Sequence, residues 1–221
     1  MARLLYPSDS TAFLLKVIRR FIRLARKQKG AEFLAQQLVA SQQALIEKQT
    51  ATQLADEKRE DAYDDILIAD NDLDEAIRTT FETCAQHDRK NPGEQLVALA
   101  FPNGTYSDII RMPYAEEPKE AERIAASLEK LGDKHPIYPY VTDIRSKIAA
   151  INAALDAYKQ VITDLTRAEV DEESAKAEVR KQYEFAYLDA RKKLGKRYSE
   201  RVFPAISAKT KAIVVEQNVA K

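Results

Sequence analysis

Residues 137–194 read IYPYVTDIRSKIAAINAALDAYKQVITDLTRAEVDEESAKAEVRKQYEFAYLDARKKL, and their spacing decides the fold. Apolar side chains recur at steps of four and three: Ile137, Val141, Ile144, Ile148, Ile151, Leu155, Tyr158, Ile162 and Leu165. The same step then meets Glu169, Glu172 and Lys176 before turning apolar again at Val179, Tyr183, Ala186, Ala190 and Leu194. A stripe that advances about 3.5 residues per turn is one side of a helix–helix seam. It predicts a long helix over 137–195 and demands a partner.

The partner lies upstream, over 31–91. Its stripe runs Leu34, Leu38, Ser41, Leu45, Lys48, Thr52, Ala55, Arg59, Ala62, Ile66, Ala69, Leu73, Ala76, Thr80 and Cys84, with polar residues in its middle. Neither Ala31–Asn91 nor Tyr140–Leu194 contains a glycine or a proline; all 5 glycines and all 8 prolines fall at the edges or in the connections. Breakers confined to joints mark long uninterrupted helices, each about 80–90 Å at 1.5 Å per residue. The expected fold is therefore all-α: a long antiparallel helical hairpin, coiled-coil-like, with short helices capping both ends.

Five segments follow, read as one continuous unit: a basic amphipathic helix in 1–30, the first long helix in 31–91, a helical cap in 92–136, the second long helix in 137–195 and a basic segment in 196–221. Ser10 or Asp9 can cap the first helix, over 11–28, whose apolar face is Leu14, Val17, Ile18, Phe21, Leu24 and Ala25. Asn91-Pro92-Gly93-Glu94 reads as a helix start, with Pro at the first helical position. Residues 96–101 and 212–215 fit either helix or strand. Pro118 opens a helix that stops at Gly132, and Pro204 starts a last one over 205–218. If position i faces 226 − i, the polar gaps of the two stripes coincide. Lys48 and Arg59 then pair with Asp164, Glu169, Glu172 or Glu173, and Tyr63 falls near Tyr158.

Charged residues make up 32% of the 221, Trp is absent, and the 45% apolar fraction is that of a folded chain. Cys84 is the only cysteine, so no intrachain disulfide exists and a reducing, cytoplasmic setting fits. No signal peptide and no membrane-length apolar run is visible. The formal net charge of zero conceals an asymmetry. Residues 1–30 hold eight Lys/Arg and one Asp, residues 191–221 hold nine Lys/Arg and two Glu, and the stretch between is strongly acidic. A hairpin brings both basic segments to the same end.

Few residues carry chemistry. Cys84 and His87 share a helix face, and the hairpin sets His135 at their level, which suggests zinc; four ligands are not present, so no metal is assigned. Asp70-Asn71-Asp72-Leu73-Asp74 resembles the opening of a calcium loop but has Glu75 where glycine is needed and Phe81 where glutamate is needed. It reads as a solvated helix face. There is no phosphate loop, dinucleotide fingerprint or serine elbow, so no enzyme activity and no cofactor is expected.

The candidate site is the basic end: Lys16, Arg19, Arg20, Arg23, Arg26 and Lys27, joined by Lys192, Lys193, Lys196 and Arg197. The expected function is that of a non-catalytic structural or interaction protein presenting its ends to a protein partner. The rival reading is an anionic-ligand binder, for nucleic acid or an anionic membrane surface, through that end. Apolar residues off the stripes, among them Val39, Ile46, Leu67, Val161, Val170, Phe185 and Leu188, leave room for a homodimer.

Overall fold

The computed structural model describes residues 5–102 and 104–203. The segments read as helix over 205–218 and as helix or strand over 212–215 lie outside the described residues. The fold is an all-α helical-hairpin bundle. Its helices are α1 (Thr11–Lys27), α2 (Glu32–Lys90), α3 (Leu96–Ala100), α4 (Tyr106–Ile109), α5 (Glu117–Glu129), α6 (Tyr138–Leu194) and α7 (Lys196–Val202). The long helices α2 and α6 fill the two glycine- and proline-free stretches, as breaker placement requires. The chain packs as two compact units, Met1–Gln53 with Arg167–Lys221 and Leu54–Thr166, and both long helices contribute to each.

In the first unit, Ser10 caps α1 by accepting from the Phe13 N–H. The buried face of α1 is Leu14, Val17, Ile18, Phe21, Ile22 and Ala25, with Leu24 only half-buried. This face packs on Leu34, Leu38 and Leu45 of α2 and on Val179, Tyr183, Ala186 and Ala190 of α6. Four rings form the centre: Phe203 lies 4.6 Å from Phe21, 5.1 Å from Tyr183 and 5.2 Å from Tyr187 between centroids, and Phe21 meets Tyr183 edge-on at 5.5 Å. Edge-to-face rings at this spacing add to what their buried area contributes. Gly195, at φ +78, lets the chain turn out of α6 into α7. Tyr198 of α7 then accepts from Gln28 Nε2 at 2.6 Å and donates to the Lys29 carbonyl at 2.8 Å. That joins the two basic segments.

In the second unit, α3 and α4 pack on α5, and their apolar faces close over Leu73, Ile77 and Cys84 of α2, Ile137 just before α6, and Val141, Ile144 and Ile151 of α6. Residues 96–100 are helix, which settles the helix-or-strand choice there. The helix start differs from the sequence reading. Asn91 is not the N-cap; α3 begins at Leu96, after Gln95. The capping is done from α2, where the Asp88 carboxylate accepts from the N–H groups of Leu96 at 2.7 Å and Val97 at 2.9 Å. Pro92 and Gly93 serve the turn that makes this return possible.

The polar middle is also paired differently. Lys48 meets Asp171 at 2.7 Å, not position 178 or any of the four carboxylates expected. Arg59 turns to Asp56 and Glu60 on its own helix. Asp56 lies three residues back on the same helix, where side chains are neighbours without any pairing across the seam. Glu172 accepts from Thr11, and Glu173 pairs with the buried Lys176. Tyr63 and Tyr158 do meet, at 6.1 Å between centroids.

Candidate functional site

All ten basic residues singled out from the sequence are exposed, and all lie in the first unit. Helical periodicity explains it: the apolar residues of α1 face the core, so its cations take the outer arc. Arg19, Arg23, Arg26 and Lys27 line one groove between α1 and α2, whose floor is Ile22, Val39 and Ile46, with Gln42 beside them. Lys16 and Arg20 are exposed but do not line it. Lys196 and Arg197 line a second concavity with Tyr198 and Arg201. The Lys193 ammonium sits 4.3 Å above the Phe33 ring, a cation–π contact that leaves its charge uncompensated. Among the described residues, no carboxylate pairs with any of the ten.

Sequence reasoning found the cations of the groove but missed its floor. Val39 and Ile46 had been marked only as apolar residues off the seam. That pattern, beside a basic helix one turn of chain away, was the available signal.

The second unit holds two further clusters. At the end of α2, Nε2 of His87 lies 2.8 Å and Nε2 of His135 lies 3.1 Å from the same oxygen, Glu94 Oε2. Hydrogen bonds from His135 and His87 hold the Glu94 carboxyl below the usual carboxylate range. Cys84, which the sequence had grouped with these histidines, is not part of the cluster. It is fully buried among apolar side chains, and burial pushes its thiol up to about 12. A thiol held protonated is a poor metal ligand.

The other cluster is acidic. Asp70 and Asp74, one turn apart on α2, flank Glu117 at the first turn of α5, which is 1% exposed. Asp70 Oδ1, Asp74 Oδ1 and Glu117 Oε1 are buried without any donor facing them. Carboxylate oxygens only accept, so the three can satisfy one another only by sharing a proton. Burial, and then the two aspartates, raise the Glu117 carboxyl to about 9, so Glu117 keeps its proton at neutral pH. Contrary to the solvated face that the sequence pattern suggests, Asp70 and Asp74 are half-buried, while Asn71 and Asp72 between them are exposed. Nothing in the local pattern could show that α5 comes back over them.

No helix among the described residues is long and apolar enough to cross a membrane. Comparison with known proteins finds no matching family, no matching curated protein and no matching solved structure.

Proposed function

We propose that this chain is a non-catalytic interaction protein whose groove between α1 and α2 takes an acidic, amphipathic segment of a protein partner. One observation carries the reading: four cations without carboxylate partners stand around an apolar floor. Like charges held together repel, and the protein's own structure does not relieve them. An acidic helix with a few apolar side chains relieves the repulsion and covers Ile22, Val39 and Ile46 in one step.

The same geometry ranks the rival anions. Single-stranded nucleic acid is held by stacking on aromatic rings as well as by charge, and no aromatic side chain lines this groove among the described residues. A membrane-binding amphipathic helix must bury its apolar face in the lipid, whereas the apolar face of α1 is already committed to the core. A cytoplasmic setting belongs to the same reading, since the lone thiol has no disulfide partner.

The test is a titration of fluorescent ligands into the full chain: an acidic amphipathic peptide, a single-stranded RNA, a DNA duplex and anionic vesicles. The peptide is expected to bind more tightly than any of the others, and Arg19→Gln, Arg23→Gln, Arg26→Gln and Lys27→Gln combined are expected to abolish its binding with the circular dichroism unchanged. Preference for nucleic acid or vesicles, or full peptide binding by the fourfold variant, overturns the reading.

A further inference from the structure

At one end of the second unit, three side chains from three segments meet at a point. His87 comes from the last turn of α2, Glu94 from the loop to α3 and His135 from the loop to α6. Their candidate ligand atoms all lie within 4.8 Å of one another. The imidazoles are shielded, with 19% and 15% of their side chains exposed, while Glu94 is 48% exposed and leaves one side open to water. We propose that His87, Glu94 and His135 form a binding site for zinc or a similar first-row divalent ion, with the fourth position open to solvent.

The donor set selects the ion. Two imidazoles and one carboxylate suit zinc, whereas magnesium and calcium require mostly oxygen. The spacing fits as well. Ligand atoms about 2.0–2.1 Å from a tetrahedral zinc stand roughly 3.3 Å apart, and the two imidazole-to-carboxylate distances are 2.8 and 3.1 Å. The two imidazole nitrogens lie within 4.8 Å of each other, so an ion draws the three side chains together without moving a helix. The loop is held in place for it: Asp88 grips the Leu96 and Val97 N–H groups, and Gln95, at φ +52, makes the left-handed turn just after Glu94.

Asn91 Nδ2 lies 3.1 Å from His87 Nε2 and 3.3 Å from the His87 carbonyl. An ion at Nε2 uses that nitrogen's lone pair, so Asn91 then donates to the carbonyl alone.

His135 limits the affinity. Its Nδ1 accepts from the Ile137 N–H at 3.2 Å. Ligation through Nε2 moves the ring proton to Nδ1, where it meets another donor, so that contact must open. Metal-bound histidines usually gain from an acceptor at this position. The site thus takes its ion exchangeably and is not a permanent structural centre.

The experiment uses the full chain without a histidine tag, titrated with Zn2+ by calorimetry and with Co2+ by visible absorption. One ion per chain is expected, with the absorption of four-coordinate Co2+ and no displacement by excess Mg2+ or Ca2+. His87→Ala and Glu94→Gln are each expected to weaken zinc at least tenfold while the helical circular dichroism stays unchanged. Because Glu94 is half-exposed, its amide variant decides the matter if the histidine variant folds poorly. Failure to bind zinc, or binding that ignores both substitutions, overturns the proposal and leaves a carboxylate clamped by two imidazoles.

Discussion

The two units place their paired charges differently. In Leu54–Thr166 the pairs tie separate helices together: Arg145 of α6 forks onto Glu129 of α5 at 2.6 and 2.8 Å and also reaches Glu122, Lys147 of α6 meets Asp72 of α2 at 2.8 Å, and Asp88 of α2 caps α3. Even the buried Glu117 and the half-buried Asp70 and Asp74 answer to each other through a proton. In the unit built from Met1–Gln53 and Arg167–Lys221, the cations of α1 and of 192–197 face water with no carboxylate beside them among the described residues. Charges satisfied inside a unit fix its architecture. Charges left over raise the potential of its surface and make it selective for a partner of opposite sign.

The largest effect is expected from removing the apolar support of the basic unit. If ring packing rather than charge holds it together, Phe21→Ala lowers its stability by about 3–5 kcal/mol. Urea unfolding followed by tyrosine fluorescence measures this. A loss below about 1 kcal/mol, well under the usual cost of emptying such a site, contradicts the four-ring core.

The next effect tests the shared proton in the acidic unit. The Glu117 carboxyl titrates higher in the fold than its ordinary 4.5, at about 9. Its ionised form is therefore disfavoured by the fold, so the contribution of this carboxyl to stability is fully present below about pH 4.5, falls as pH rises, and stops falling only past about 9. Glu117→Gln supplies two N–H donors to Asp70 and Asp74 and cannot ionise. It is expected to stabilise the chain by roughly 1–3 kcal/mol at pH 8 and by little at pH 4.5. Thermal unfolding at the two pH values decides it, and destabilisation at both removes the shared proton from the account.

Asp88→Ala strips two backbone N–H groups of their acceptor and is expected to cost about 1–2 kcal/mol. Its signature is faster amide exchange at Leu96 and Val97, and unchanged exchange there contradicts the cap. The smallest effect belongs to the Lys48–Asp171 pair, each about half-exposed. A double-mutant cycle is expected to give a coupling of about 0.2–1 kcal/mol that fades with salt.

The helices were legible because their information is local. Gly195 and the prolines mark joints, and the step from Ile137 to Leu194 marks one continuous face. The placement of Tyr63 near Tyr158 followed from pairing two such faces. What failed was the choice of partner, which the local pattern does not specify. Asp88 caps a helix eight residues on, Arg59 chooses Asp56 over any acid of α6, and Glu117 arrives from a separate helix to cover Asp70 and Asp74. The ten basic residues could be named, since a charged arc is a property of one helix. Val39 and Ile46 as a groove floor could not, since a groove needs two helices. For the same reason His87 and His135 were noticed while Glu94, on a short loop, was passed over.

Hydrogen exchange of the full chain, with and without a saturating acidic amphipathic peptide and without added metal, shows where a partner lands. Slower exchange is expected across Thr11–Lys27 and the α2 turns that carry Val39 and Ile46, with Leu54–Thr166 unchanged. Protection confined to Leu54–Thr166, or no protection anywhere, contradicts the claim that the unpaired cations of the first unit are there for a partner.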